Sequence, residues 1–249
     1  MNGISVLPVL HMPQVKPGDD LAGLLATALG QSGLSPKAED VLVVKSKIVS
    51  RAEGCLVAAD EIVPSPFAQG VARLVGRPAA YVELALRQSR RIVKMAPGVL
   101  ICQTHHGFVL ANAGVDSTNT GGEGLYATLP ENLDASARGI RMGLQQRLGA
   151  APAVVISDTF GRAWRRGQTD LAIGLAGLDA FAETGDTDAE GQVLRYTKPA
   201  LADEVAAAAD LVCGKSRNIP AALVCGVCFA PAEGAATDLL FPPQQDLFL

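Results

Sequence analysis

Short runs of β-branched residues alternate with longer runs rich in alanine and leucine, which limits the chain to folds that mix strands and helices. Continuous apolar runs at residues 41–44 and 153–156 predict buried strands, and residues 21–29 have helical spacing behind Asp19 and Asp20. The same criteria predict further strands at 99–102, 108–111 and 221–229, and further helices at 67–75, 80–93, 136–148 and 200–212. The irregular strand spacing favours a mixed α/β (α+β) fold over a doubly wound parallel sheet.

Composition narrows the class of protein further. Hydrophobic residues make up 49% of the 249 residues, which is enough for one domain over residues 1–249, with a patternless tail from about residue 231 that we expect to be loosely held. The net charge of −4 argues against non-specific nucleic-acid binding, which needs a basic face. We expect no signal peptide and no membrane span. Five cysteines without a secretion signal then predict reduced thiols in the cytoplasm.

The segment after residues 153–156 offers the strongest candidate for chemistry. It reads Ser157-Asp158-Thr159, and we expect the strand to end there and to turn at the next glycine. Asp158 and Thr159 provide the oxygen ligands that Mg²⁺ or Mn²⁺ prefers, and three arginines follow that could bind phosphate or carboxylate: Arg162, Arg165 and Arg166. The alternative is that Asp158 caps the turn and that the arginines are simply solvated.

A second acidic segment follows the predicted strand at 108–111. It carries Asp116 as a possible metal ligand and Asn119 as a possible phosphate or base contact. The alternative is an ordinary Asx-type turn, which Asp-Ser-Thr-Asn strings often form. Two acids at strand ends are nevertheless what a metal–nucleotide site requires, because Mg²⁺ is usually held by one or two carboxylates together with phosphate oxygens.

A basic segment follows the strand at 41–44. Ser46, Lys47 and Arg51 could hold a polyphosphate there, or could form an exposed basic turn. The chain contains neither a Gly-x-x-x-x-Gly-Lys-Ser/Thr phosphate loop nor a Gly-x-Gly-x-x-Gly fingerprint. A bound nucleotide would therefore be held in neither a P-loop nor a Rossmann manner.

A series of short segments, each weak alone but specific in its joint order, resembles the coenzyme F420:L-glutamate ligase family, also called the F420-0:γ-glutamyl ligases. The likeness covers most of the chain from Pro8 to about Gly226. Its segments are Lys-Pro-Gly-Asp-Asp-Leu (16–21), Ser-Lys-Ile-Val-Ser-Arg-Ala-Glu-Gly (46–54), His-Gly-Phe-Val (106–109), Ala-Asn-Ala-Gly-Val-Asp (111–116), Ser-Asp-Thr-Phe-Gly-Arg (157–162), Arg-Gly-Gln-Thr-Asp (166–170), Ala-Asp-Glu (202–204) and Ile-Pro-Ala (219–221).

This resemblance implies a family-specific ligase fold in an intertwined homodimer, acting on an F420 precursor, L-glutamate and GTP. It implies two divalent ions, Mg²⁺ or Mn²⁺, with K⁺ as a further cation, and an acyl-phosphate intermediate. The flavin-binding domain of some bacterial relatives is expected to be absent. The alternatives are a ligase of the same scaffold that acts on another acid or amine, and a catalytically silent nucleotide-binding protein.

Site residues carried over from the family fall into three groups. Asp116, Asp158 and Thr159 are expected to hold metal, and Asp116, Asp158 and Arg162 to act in catalysis. Lys215 stands where some family members have an acidic or amide residue near the second metal. The expected nucleotide contacts are Met12, Pro13, Gln14, Val15, Ser46, Lys47, Arg51, Asn119, Gly214, Lys215 and Ser216.

Overall fold

The computed structural model describes residues 3–118, 120–183, 187, 190–193 and 197–246. Within them the strands are β1 (Ser5–Pro8), β2 (Val41–Lys45), β3 (Leu56–Ala58), β4 (Ser89–Ala96), β5 (Val99–Thr104), β6 (Val109–Ala111), β7 (Leu125–Ala127), β8 (Ala153–Arg162), β9 (Arg165–Ala176) and β10 (Ala221–Cys225). The α-helices are α1 (Leu21–Gln31), α2 (Ser46–Ala52), α3 (Pro66–Val75), α4 (Ala79–Arg87), α5 (Leu133–Leu148) and α6 (Leu201–Cys213).

A mixed five-stranded sheet with the order β1-β10-β2-β8-β9 organises the larger part of the fold. β2 and β8 run parallel, whereas the β1–β10, β10–β2 and β8–β9 pairs are antiparallel. A sheet with one parallel pair is not a doubly wound parallel sheet. The prediction of a mixed α/β architecture is therefore confirmed.

The central strands are buried along most of their length. All apolar residues of β2, and the first five residues of β8, are inaccessible to solvent. A strand buried at every position has both faces covered, which explains why these segments read as unbroken apolar runs. The main hydrophobic cluster joins the sheet to α1, α5 and α6.

A second hydrophobic cluster is built from α3, α4 and β5. Beside it lie two smaller sheets, β4-β5-β6 and β3-β7. The ring of Tyr81 packs edge-on against Tyr126, with 5.2 Å between their centroids, and the Tyr81 hydroxyl donates a hydrogen bond of 2.6 Å to the Val115 carbonyl. This cluster therefore supports the backbone that leads into Asp116.

Several predicted elements need correction. The helix predicted at 80–93 ends at Arg87, because residues from Ser89 onward pair with β5, and this pairing overrides the helical spacing. The strand predicted at 153–156 continues to Arg162, and the strand predicted at 221–229 ends at Cys225. The other predicted helices and strands are present, with shifts of a few residues at some of their ends.

The segment after β10 contacts α5 and the residues that follow β9 through specific hydrogen bonds. Ala236 is 1% exposed, and its N–H donates to the Asp134 carboxylate at 3.2 Å. The Gly234 N–H donates to the Leu178 carbonyl at 3.2 Å. All five cysteines are unpaired. None of the helices in the described part of the chain has the length and apolar character needed to cross a bilayer.

Candidate active site at the end of strand β2

The candidate site lies where β2 ends and α2 begins. In the parallel β2–β8 pair, the last residue of β2, Lys45, stands opposite Ser157. β8 continues beyond this point, so Asp158 is the first residue of β8 that has no partner on β2. The expectation that Asp158 ends its own strand is wrong, since it lies within β8. What ends beside it is the neighbouring strand, and this leaves Asp158 at an open edge.

Asp158 sits against the first turn of α2. The Ser46 hydroxyl donates to Asp158 Oδ1 at 3.1 Å. Burial raises the pKa of Asp158 to about 6, and the negative charges of Asp170 and Asp116 act in the same direction against the lowering effect of hydrogen bonds from Ser46 and the Thr159 N–H. A bound cation would stabilise the ionised form of this carboxylate, because its positive charge would offset both the cost of burying the negative charge and the repulsion from the neighbouring acids.

Asp116 also lies beside α2, and it follows Val115, which is part of the second hydrophobic cluster. It pairs with Ala127 in an isolated antiparallel bridge, and its Oδ1 accepts from the N–H and hydroxyl of Thr118 at 2.7 and 2.8 Å. The turn alternative is thus observed. In addition, Lys47 Nζ lies 2.6 Å from Asp116 Oδ2. Burial acts to raise the pKa of Asp116, but Lys47 and Thr118 outweigh it and lower that pKa.

The two predicted acids therefore converge, although they come from different parts of the chain. Consecutive residues of α2, Ser46 and Lys47, contact Asp158 and Asp116 respectively. The charge of Asp116 is also close enough to influence the pKa of Asp158. The result is an edge where two carboxylates contact consecutive residues of α2, and one of them, Asp116, is paired with an ammonium group.

Thr159 faces a different partner from Asp158, as expected for adjacent residues of a strand. Its hydroxyl donates to Asp170 Oδ1 at 3.0 Å, and the Ser157 hydroxyl donates to Asp170 Oδ2 at 2.7 Å. Asp170 is fully buried and is also paired with Lys45, whose ammonium contacts Asp210 of α6 at 2.6 Å.

Neither Asp170 nor Asp210 is predicted from the sequence to have a role at the site. A signal was available for Asp170. Asp170 directly precedes the apolar half of β9, where a buried carboxylate must be paired, and Lys45 at the end of a buried strand is a matching cation. Asp210 lies on a helix with an acidic start and no distinguishing pattern, so only the fold brings it to the cluster.

Arg51, in the last turn of α2, lies beside the loop that follows Asp116. A side chain at Gly121, whose φ is +98°, would begin 2.9 Å from the Arg51 guanidinium, so glycine permits this approach. The predicted nucleotide contact Asn119 belongs to the same loop but lies outside the described residues. Arg51 thus lies beside the loop that follows Asp116 and stays a candidate phosphate contact.

The remaining nucleotide candidates lie in two loops. In the loop between β1 and α1, Met12 and Val15 point into the main core, while Pro13 and Gln14 are exposed. In the loop after α6, Gly214 adopts a φ of +56°, and Lys215 Nζ donates to the Gln168 side chain at 3.2 Å. Ser216 is exposed in the same loop.

Arg162 lies in an exposed two-stranded arm, residues 161–168, formed by the ends of β8 and β9. It lies four positions after Asp158, a distance of about 13 Å along a strand. Its guanidinium donates to the Arg166 carbonyl at 2.9 Å. The structure therefore places Arg162 in the arm and not beside the two carboxylates.

The donor atoms suit a hard divalent cation. Asp116 and Asp158 provide carboxylate oxygens, and the Ser46 hydroxyl oxygen lies 3.1 Å from Asp158, whereas the Thr159 hydroxyl contacts Asp170. Among the residues that the structure describes, no three His, Cys, Asp or Glu side chains form a ready-made metal cluster. Two carboxylates are nevertheless sufficient for Mg²⁺ when phosphate oxygens complete the coordination.

Comparison with known proteins now decides the family. A sequence profile described as F420-0:Gamma-glutamyl ligase matches residues 9–226. The chain belongs to the F420-0:gamma-glutamyl ligase family. Similar proteins of this family include the coenzyme F420:L-glutamate ligase of Methanothermobacter thermautotrophicus, 39% identical over 250 residues that cover 99% of each chain. That of Methanopyrus kandleri is 39% identical over 258 residues that cover 100% of each chain, and that of Methanococcus maripaludis is 34% identical over 241 residues, 96% of this chain and 95% of its own.

The F420-0:gamma-glutamyl ligase match includes every segment of the candidate site. Residues 9–226 contain Ser46 and Lys47, the acids Asp116 and Asp158, and the loop after α6. The match ends just after β10, so the last part of the chain, including the buried Ala236, lies beyond it.

Proposed function

We propose that this protein joins L-glutamate to a coenzyme F420 precursor through an amide bond, with GTP as the energy source. Membership of the F420-0:gamma-glutamyl ligase family supports this proposal, as do the relatives named coenzyme F420:L-glutamate ligase. The single observation that carries the mechanism is the convergence of Asp116 and Asp158 on consecutive residues of α2.

The proposed chemistry follows from the nature of the two substrates. A carboxylate is a poor electrophile, so the precursor carboxylate is first phosphorylated by GTP, and the glutamate amine then displaces phosphate from the acyl phosphate. Lys47 and Arg51, which lie at Asp116 and at the loop that follows it, would bind the triphosphate, whose charge would otherwise repel the incoming carboxylate. Asp116, Asp158 and Thr159 would hold two Mg²⁺ or Mn²⁺ ions, which supply charge neutralisation in phosphoryl transfer.

We further propose that the protein acts as a homodimer and uses GTP in preference to ATP. Both proposals rest on the family resemblance. Sedimentation of the purified protein measures the first directly, and a comparison of turnover with the two nucleotides measures the second.

The proposed activity is tested by incubating the purified protein with F420 precursor, L-glutamate, GTP and Mn²⁺. Mass spectrometry should show precursor converted to a product that is heavier by one glutamate residue, with release of phosphate. Phosphate release only with a different acid or amine would replace the substrate assignment. Tight GTP binding without turnover of any acid would refute the ligase proposal.

A matched pair of lysine variants tests the role of the site. Lys47→Met removes the ammonium beside Asp116 and should reduce turnover about 10- to 100-fold, the usual effect of losing a hydrogen bond to a charged group. Lys37→Met is the control, because its ion pair with Glu39 is exposed and 4.0 Å long. Equal turnover by both variants would place the nucleotide elsewhere.

A further inference from the structure

A buried charge cluster adjoins the candidate site, composed of Lys45, Asp170 and Asp210. The Lys45 ammonium lies between the two carboxylates, at hydrogen-bonding distance from each, and its side chain is 19% exposed. Burial acts to lower the pKa of Lys45, but the carboxylates of Asp170 and Asp210 outweigh it and raise that pKa. The ammonium therefore stays charged and is paired with two carboxylates.

The cluster joins three segments that the proposed function requires. Lys45 directly precedes Ser46 and Lys47 of α2. Asp170 accepts from the hydroxyls of the two residues that flank Asp158 on β8, at 2.7 and 3.0 Å. Asp210 lies in the last turn of α6, and its carbonyl accepts from the Gly214 N–H at 3.0 Å, at the start of the loop that carries Lys215 and Ser216.

We propose that Lys45, Asp170 and Asp210 are positioning residues that hold the metal-binding and nucleotide-binding segments in register. This inference rests on the proposed function. Lys45 and Asp210 tether the loop at residues 214–216 to the end of β2. Asp170 orients Thr159.

The orientation of Thr159 has a direct consequence for cation binding. A threonine hydroxyl has one proton and two lone pairs. Since its proton is donated to Asp170, the lone pairs of the oxygen point away from Asp170 and are free to accept a cation. Outer partners that orient a ligand in this manner typically change metal affinity 10- to 100-fold when removed.

A matched pair on α6 tests the tether. Asp210→Ala removes the contact to Lys45 near the end of the helix, whereas Asp203→Ala removes a comparable tether near its start, where Asp203 accepts from the Ala172 N–H of β9 at 2.9 Å. Both variants should lose stability in urea. Only Asp210→Ala should weaken GTP binding, by about 10-fold in calorimetry, and speed amide hydrogen exchange at residues 214–216.

Asp170→Asn tests the orientation of Thr159. Free Mn²⁺ measured by electron paramagnetic resonance should show about a 10-fold loss of affinity in this variant. Asp203→Asn is the control, since it changes another carboxylate that contacts β9 and should leave Mn²⁺ affinity unchanged. These readouts require binding only, so they do not depend on turnover.

The outcomes separate this inference from the proposed function. If the unmodified protein binds neither GTP nor Mn²⁺, the proposed function is refuted and the positioning role with it. If it binds both, and Asp210→Ala and Asp170→Asn bind them as tightly as their controls do, the ligase proposal stands and the positioning role is wrong. If Asp210→Ala and Asp203→Ala lose the same amount of stability and neither changes GTP or Mn²⁺ binding, the cluster has a structural role only.

Discussion

Replacing Asp158 with asparagine should stabilise the metal-free protein while abolishing its turnover. Burial raises the pKa of Asp158 from 3.8 to about 6, so the folded state binds this proton more tightly than the unfolded state. The free energy of unfolding is therefore highest at acidic pH and falls as the pH rises through about 6. Two pKa units correspond to about 3 kcal/mol, which is the stability that ionised Asp158 costs at neutral pH. Asparagine has no charge to bury and can still accept from Ser46.

The assay is urea unfolding of the wild type and Asp158→Asn in chelator, at about pH 4.5 and about pH 7.5. Relative to the variant, the wild type should lose about 2 kcal/mol of stability between these values, because unfolded Asp158 is already partly ionised at the lower pH. Asp60→Asn, which changes an exposed carboxylate, serves as the control. Its free energy of unfolding should equal that of the wild type at both pH values. Added Mn²⁺ should stabilise the wild type but not Asp158→Asn. A variant less stable than the wild type at about pH 7.5, or one with near-normal turnover, would contradict this account of the site.

Three further results are expected. A chelator should abolish ligation without unfolding the protein, as followed by circular dichroism; ligation that persists without metal would rule out the cation site. Gly174→Ala should destabilise by about 2 kcal/mol or more, since its Cβ would lie 2.6 Å from the Leu133 carbonyl oxygen. At Gly139 on α5 an added Cβ would have no atom within 4 Å, so Gly139→Ala should stabilise the protein by about 0.5–1 kcal/mol through the higher helix propensity of alanine. The midpoints of urea unfolding compare the two glycine variants. Tyr81→Phe should cost about 1 kcal/mol in the same assay by removing the hydrogen bond to Val115, and an unchanged midpoint would count against that bond.

Local signals in the sequence predicted most of the secondary structure. Apolar periodicity behind two acidic residues located α1, helical spacing located all but the first turn of α5, and unbroken β-branched runs located β2 and the first half of β8. They failed where pairing across the sheet decided the outcome. Residues 89–93 of β4 fall within the helix predicted at 80–93, and pairing with β5 makes them part of a strand.

The candidate site shows the same division. The residue types at Asp116 and Asp158 predicted a cation site, and Ser46 and Lys47 were recognised as polar residues after a buried strand. Their mutual contacts could not be derived from spacing, since Ser46 and Asp158 are 112 residues apart in the chain. The partners of Lys45 illustrate this most clearly. Asp170 lies 125 residues away and Asp210 lies 165 residues away.

The sequence by itself determined most of the helices, the buried strand β2 and the first half of β8, and which side chains carry the oxygen and ammonium groups of a metal–nucleotide site. These properties depend on residues a few positions apart in the chain, so they can be read from the sequence. Only the tertiary structure decided that β8 extends beyond the end of β2, which leaves Asp158 without a partner on β2. It also decided that Lys45 forms ion pairs with two carboxylates that are distant in the sequence. The physical reason is that burial and Coulomb energy depend on separation in space, which the order of residues along the chain does not fix.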